Sequence, residues 1–435
     1  MSRGLFYFYS MISIIEAYKE CGNSVCIDTR KITPNCLFIA LKGANFNGNE
    51  FTRNALELGA KYAVIDDDNY QIEGKTILVK DGLLTLQQLA SDYRKEFGIP
   101  VLGITGSNGK TTAKELIHAV ISKKLACHST PGNFNNHIGL PLTLLSMVKG
   151  TEFCILEMGD NHMGEIATLS QIGKPTHALV TNVGKDHIEG FGSFENNKLA
   201  KKELFDYISN NNGIAFIPDF ETEVKELAIE VKNQIYFGSD SSKYNVSFSG
   251  AAPFVRYKNN LGEEFTTNLI GEYNIFNIQM AYAIGKEFGV SENEIHGAIC
   301  SYKPSNMRSV FIEQNSNAIF LDAYNSNPSS LSAALESFEK QYLKPSRTVI
   351  IGDMLELGEE SLNEHQSIVN GLIKTDLQVY LVGSEFEKTK QGPSMNWFPT
   401  RDELIEHIIQ NPIENTQILL KGSRGIRLEE VLEAL

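Results

Sequence analysis

A chain of 435 residues, 42% hydrophobic and 21% charged, has the length for two or three domains with their own cores and the composition of a globular protein. Its formal charge of −14 argues against nucleic acid as the partner, because neutralising phosphates takes a basic face. No run approaches the roughly 18 apolar residues of a membrane span, and the six cysteines show neither a C-x-x-C pair nor a His at metal spacing, which speaks against zinc and for reduced thiols in the cytoplasm.

Met1 to Met11, with one Arg and the aromatic run Phe6 to Tyr9, lacks the apolar core and cleavage site of a signal peptide. It reads as a short leader that packs on the first domain or frays. Residues 12–97 read as a small α/β unit. Ile12, Ile15 and Tyr18 suit an amphipathic helix, and Leu37–Leu41, Ala63–Ile65 and Thr76–Val79 suit strands. Asn54–Gly59 reads as a helix closed by glycine. Asp28-Thr-Arg30 and Lys42–Gly48 form polar loops at strand ends; they suit an anionic ligand or plain surface equally well.

From residue 98 the pattern changes. The apolar run Ile99–Ile104 reads as a buried strand, Gly106-Ser-Asn-Gly-Lys-Thr-Thr112 as a glycine turn, and Ala113, Leu116, Ile117, Val120 and Ile121 as one face of a helix. Strand, turn and helix start are the geometry that cradles polyphosphate. Backbone amides of Gly106, Ser107, Asn108 and Gly109 turn inward, and the helix terminus adds partial positive charge. Lys110 reaches the terminal phosphates and the hydroxyl of Thr111 ligates the accompanying Mg²⁺, with Thr112 beside it. The strict motif wants Gly where Ile104 stands, yet the whole context predicts an ATP site.

Phe153–Leu156 reads as a second strand ending in Glu157, the usual seat of a Mg²⁺ ligand beside a phosphate loop. His177–Thr181 reads as a third, which places His187 at the edge where open α/β sheets bind ligands. Glu195–Tyr207 reads as a helix with Lys198, Lys201 and Lys202 on a face that spacing alone leaves solvated. Asn274 and Asn277 share a face at i, i+3, suited to reading a purine edge or, more simply, to capping a helix. Beyond residue 307, strand-like runs Ala318–Leu321, Thr348–Ile351, Val379–Val382 and Ile418–Leu420 alternate with helical stretches, a doubly wound Rossmann-like pattern without the dinucleotide fingerprint.

Taken in order, eight motifs make the chain resemble the Mur ligase family over nearly its whole length. They are Asp28–Pro34 with Leu37–Gly43, Gly106–Thr112, Thr130–Asn136 with Gly139–Pro141, Glu157–Gly159, His187–Ser193, Asp322–Pro328, Gly352–Gly358 and Lys421–Arg424. The resemblance implies an α/β protein of three domains: residues 1–97 for the UDP-sugar, 98–306 a central ATPase with a mainly parallel sheet, and 307–435 a Rossmann-like domain for the amino substrate. It implies a monomer that joins D-alanyl-D-alanine to a UDP-N-acetylmuramoyl-tripeptide through an acyl phosphate, with addition of the third residue as the alternative.

Family roles then fall on matching positions. The Gly106–Thr112 loop with Lys110 would hold ATP phosphates, and Thr111 one of two Mg²⁺ ions. Glu157, His187 and Lys201, the last converted by CO₂ to an anionic carbamate, would hold the other. Arg308 would contact phosphate, Asn274 and Asn277 adenine, and Asp322 ribose. Asp28, Thr29, Arg30, Lys42 and Gly43 belong to the UDP end; Asn325, Asn327, Lys421, Ser423 and Arg424 to the dipeptide. Tyr273, Asp186 and Ala323 depart from the family pattern.

Overall fold

The computed structural model describes residues 13–304 and 307–435; the expected leader, Met1 to Met11, and the expected boundary at residue 306 lie outside them. The chain forms two compact units, one comprising the chain to Gly103 with Ala126–Gly159 and Glu165–Thr176, the other Ile104–Leu125, Asp160–Gly164 and His177–Leu435.

In the first unit four parallel strands, Val25–Cys26, Leu37–Ile39, Tyr62–Ile65 and Thr76–Leu78, lie side by side in that order. Their interior is small and apolar: Phe38, Ala40, Ala55, Ala63 and Ile65 pack together. The helix Ile14–Glu20 is closed by a Ser13/Glu16 capping box, which satisfies two otherwise orphaned amides. The helix Gly82–Arg94 packs on Gly139–Leu145 and Glu165–Gly173. Two buried tyrosines extend that junction: Tyr18 donates to the Leu145 carbonyl at 2.5 Å and Tyr93 to that of Met147 at 3.0 Å. Those contacts explain why segments from the expected central domain fold into the N-terminal unit. The strand Phe153–Glu157 is buried along its whole length, as parallel strands covered on both faces are, and it pairs with Cys127–Ser129.

The second unit begins at the end of the strand Val101–Thr105. The helix Lys110–Ile121 buries Ala113, Leu116, Ile117, Val120 and Ile121, the face read from the sequence, and packs on the helix Asn274–Glu287. The approach is close: a Cβ on Gly285 would stand 2.5 Å from Val120. His177–Val180, Ile214–Pro218 and Asn233–Phe237 are parallel neighbours, and Phe194–Asn210 is the expected lysine-bearing helix. An antiparallel sheet of Ser247–Ala251, Phe254–Lys258 and Glu264–Ile270 follows, which the sequence reading did not contain.

The last third is a six-stranded sheet. Its order is Val310–Gln314, Asn317–Asp322, Thr416–Lys421, Ser346–Gly352, Gln378–Val382 and Met395–Phe398. The first pair is antiparallel and the rest parallel. The four inner strands are those expected; the two edge strands are additional. Apolar clusters cover both faces, one around Phe320, Leu331, Val349 and Phe386, the other around Ile319, Ile350, Leu404 and Leu428. No helix among the described residues is long and apolar enough to cross a membrane.

Candidate active site

The phosphate loop is held open by geometry that only glycine permits at two positions. Gly106 has φ +133° and Gly109 φ +80°. A Cβ on Gly106 would overlap the Thr181 hydroxyl, and one on Gly109 would come within 2.7 Å of Asn277 Oδ1. The residues just past the His177–Val180 strand brace the loop. Asn108 N donates to Asn182 Oδ1 at 2.9 Å, Thr181 Oγ1 donates to the Asn108 carbonyl at 2.6 Å, and Ser107 N donates to the Asn182 carbonyl at 3.1 Å. Lys110 folds over the loop and donates to the carbonyls of Gly106 and Ser107. An ammonium sitting on carbonyls it can exchange for phosphate oxygens is poised for an anion.

Behind the loop lies a buried charged cluster. Ser107 Oγ donates to Asp186 Oδ1 at 2.5 Å, and Asn197 Nδ2 donates to the same oxygen at 2.8 Å. Lys201, wholly buried on the helix Phe194–Asn210, places Nζ 3.0 Å from Asp160 Oδ2, 3.7 Å from Asp186 Oδ1 and 4.6 Å from the Phe191 ring centre. These are ion-pair separations without hydrogen-bond alignment: Lys201 Nζ, both Asp160 oxygens and Asp186 Oδ2 have no hydrogen-bond partner. Burial pushes the Asp160 carboxyl up, against the pull of Lys201 and Lys110. At Asp186 burial is outweighed by those two lysines and by the Ser107 and Asn197 hydrogen bonds, and the carboxyl is held low. Ser107 thus bonds the loop to a carboxylate that lies within ion-pair reach of Lys201, so the phosphate loop and Lys201 belong to one electrostatic site.

The other expected residues distribute as follows. His187, at φ +49°, pairs through Nδ1 with Glu356 Oε2 at 2.5 Å. Asn274 donates to the Ile270 carbonyl at 2.7 Å and Asn277 Nδ2 to Asn274 Oδ1 at 2.8 Å. Tyr273, not an asparagine, occupies the N-cap, so capping is not what these amides do. The Arg308 guanidinium lies 3.7 Å over the Tyr324 ring. Asp322 pairs with the buried Lys421 at 2.6 Å, and Lys421 also donates to the Asn325 carbonyl at 3.2 Å. Asn327 caps the helix Pro328–Glu339 and donates to Asn108 Oδ1 of the phosphate loop at 2.9 Å. Ser423 Oγ accepts from Leu355 N at 3.0 Å, and Arg424 pairs with Glu429 at 2.6 Å.

Glu157 and the expected UDP residues lie in the first unit. Glu157 is buried; Asn135 Nδ2 donates to its Oε1 at 3.1 Å, and Thr130 Oγ1 accepts from its backbone N at 2.9 Å. Asp28 caps the short turn Thr29–Lys31 and pairs with Arg30 at 2.7 Å, which holds its carboxyl down to about 2. Lys42 pairs with Asp66 at 2.9 Å, and Gly43 sits in a two-residue strand paired with Phe46–Asn47. Asp160, like Asn197, belongs to the buried cluster and was missed by sequence reasoning. The only signal was its place three residues after Glu157, at a strand's carboxyl end.

Oxygen-rich donors of this kind fit a hard divalent cation. Asp160 and Asp186 bring orphaned carboxylate oxygens beside an amine that is buried without a hydrogen bond. Among the described residues no three His, Cys, Asp or Glu side chains gather as a ready-made metal cage. Mg²⁺ seldom needs one, since it is bound through one or two carboxylates plus substrate phosphates.

A glycine-bent phosphate loop between a buried strand and a helix, backed by a buried lysine–carboxylate cluster, is the architecture of a nucleotide-binding α/β enzyme. Family models for the Mur ligase family catalytic domain, the Mur ligase middle domain and the Mur ligase glutamate ligase domain match residues 23–103, 104–285 and 307–424. The UDP-N-acetylmuramoyl-tripeptide–D-alanyl-D-alanine ligase of Bacillus subtilis is 34% identical over 432 residues, covering 95% of this chain and 93% of that protein. A crystal structure of the Thermotoga maritima MurF ligase in complex with ADP is 25% identical, with TM-score 0.85 and coverage of 97% and 98% of the two chains. One of MurF from Acinetobacter baumannii is 28% identical, with TM-score 0.83 and coverage of 94% and 92%. The chain belongs to the Mur ligase family.

Proposed function

We propose that this chain is the ATP-dependent ligase that joins D-alanyl-D-alanine to UDP-N-acetylmuramoyl-tripeptide, the last cytoplasmic peptide addition in making the peptidoglycan precursor. Full-length relatives that carry that name support the substrates. The observation that carries the chemistry is the buried cluster in which Ser107 of the phosphate loop bonds to Asp186 while Lys201 lies within ion-pair reach of both Asp186 and Asp160. A carboxylate is a poor electrophile, so its oxygen attacks the γ-phosphorus of ATP, giving acyl phosphate and ADP. The dipeptide amine then attacks the acyl carbon, loses a proton, and the tetrahedral intermediate expels phosphate.

The chain's own part is to position, to hold charge and to exclude water. The Gly106–Thr112 loop and Lys110 hold the phosphates. Asn277, packed against Gly109 of the loop, and Asn274, which accepts from it, face adenine; Asp322, oriented by Lys421, takes ribose, and Arg308 takes phosphate. Thr111, Glu157, His187 and Lys201 would hold two Mg²⁺ ions, which when bound supply positive charge to the transferring phosphoryl group. For Lys201 this role requires the neutral amine to bond to CO₂ carbon and release a proton, leaving a carbamate. Asp28, Thr29, Arg30, Lys42 and Gly43 bind the UDP end; Asn325, Asn327, Lys421, Ser423 and Arg424 stand towards the dipeptide. We assign 1–97, 98–306 and 307–435 to UDP-sugar, ATP and amino substrate, in a cytoplasmic monomer.

The test is phosphate release from ATP, with mass spectrometry of the product, across a panel of nucleotide-peptides and dipeptides. Release that requires both UDP-N-acetylmuramoyl-tripeptide and D-alanyl-D-alanine supports the reading. Turnover with a single amino acid in place of the dipeptide, or with neither substrate, overturns it.

A further inference from the structure

The motif Gly352–Gly358 has no part in the chemistry above, yet three of its residues in a row are anchored by hydrogen bonds. Asp353 accepts from the backbone N of Glu385 at 2.9 Å and of Phe386 at 3.1 Å. Met354 N donates to the buried His365 Nε2 at 3.0 Å, and Leu355 N donates to Ser423 Oγ at 3.0 Å. Three consecutive anchored residues leave Glu356, at φ +65°, facing His187. Its Oε2 lies 2.5 Å from His187 Nδ1, and its carbonyl accepts from Glu189 N at 3.2 Å. Two further contacts flank the pair: Lys185 Nζ with Glu364 at 2.6 Å, and Lys185 N with Ser329 Oγ at 3.1 Å.

The geometry points to Glu356 as a positioning residue that, by reaching His187 from the anchored Gly352–Gly358 loop, fixes the tautomer of His187 and so couples the seating of that loop to cation binding. The inference rests on the reading of His187 as a metal ligand. A neutral imidazole has one N–H and one lone pair. With the N–H donated from Nδ1 to Glu356, the lone pair is left on Nε2, and a carboxylate behind a ligating histidine also raises its basicity. Stability is not the reason for the contact, because the Glu356 side chain is 55% exposed and pairs so exposed add little. The motif residues around Glu356 explain its placement: a flexible loop could not choose between ring nitrogens. By linkage, whatever the Glu356–His187 contact contributes to cation affinity, the cation returns to the contact.

Mn²⁺ titration of the full-length protein with ADP, followed by electron paramagnetic resonance of free Mn²⁺, tests this. Glu356→Ala should weaken the weaker Mn²⁺ step by about tenfold or more, as loss of such a partner does. Glu356→Gln, whose amide oxygen still accepts from Nδ1, should stay within about threefold of the parent, and all variants should melt together. An unchanged Mn²⁺ isotherm for Glu356→Ala, or Glu356→Gln as impaired as Glu356→Ala, overturns the proposal. His187→Ala in the same titration separates the two readings: if it keeps the weaker step intact, His187 is not a ligand and the underlying reading fails, whatever Glu356 does.

Discussion

Replacing Gly106 by alanine puts the phosphate loop's design under direct strain. At φ +133° an L-residue starts at a disadvantage of about 1–2 kcal/mol. The added Cβ would overlap Thr181 Oγ1 and lie 2.9 Å from Thr181 N and 3.0 Å from the Asn182 carbonyl. None of those atoms is free to retreat. Thr181 N donates to the Thr105 carbonyl at 2.9 Å, Thr181 Oγ1 to the Asn108 carbonyl at 2.6 Å, and the Asn182 carbonyl accepts from Ser107 N at 3.1 Å. Overpacking of this kind costs about 1–3 kcal/mol more. The total, about 3 kcal/mol, is relieved most easily by moving the loop, so nucleotide affinity should fall about a hundredfold. Calorimetric titration with ADP, beside a thermal melt, measures both consequences. Adding Thr181→Ala removes the hydroxyl overlap but not the backbone contacts, so it should restore affinity only in part. If Gly106→Ala binds ADP within threefold of the parent and melts unchanged, the close approach is not what shapes the loop.

Lys201→Met leaves two buried carboxylates without their cation and should cost about 3–5 kcal/mol; adding Asp160→Asn should recover much of that in denaturant melts, and a lone Lys201→Met as stable as the parent would refute the pairing. Asn327→Ala removes a helix cap and should cost about 1 kcal/mol, whereas Asn327→Ser keeps the cap and should not; equal losses would show that the Asn108 contact, not the cap, matters. Burial, with help from Glu223, raises the Glu221 carboxyl from 4.5 to about 7. The folded chain therefore keeps a proton the unfolded chain has lost, and stability present below pH 4.5 drains away as pH rises to 7. Glu221→Gln should gain on the parent by at most about 2 kcal/mol between pH 5.5 and 8; a pH-independent difference would mean that Glu221 is solvated.

What was legible in the chain was what depends on neighbours in sequence. Glycine spacing and a 3.6-residue apolar face marked the phosphate loop and its helix, and short apolar runs marked the inner strands of the first and last parallel sheets, though not the inner strand Ile214–Pro218 beside His177–Val180. The strands Val310–Gln314 and Met395–Phe398 escaped because edge strands carry mixed faces. The antiparallel sheet escaped because Ser247–Ala251 is half exposed and broken by a bulge. Lys201 looked like one lysine of a solvated face; only the fold brings Asp160 and Asp186 to it. Asp322 and Lys421, 99 residues apart, are partners for the same reason.

The bond from Ser107 to Asp186, shared with Asn197, has a thermodynamic reach beyond its 2.5 Å. Through Asn197 it fastens the loop to the helix Phe194–Asn210, so the disorder the loop would otherwise possess is surrendered when the polypeptide folds and not when nucleotide arrives. Cutting that tether with Ser107→Ala makes nucleotide capture carry the ordering itself, visible as a more unfavourable entropy of ADP association.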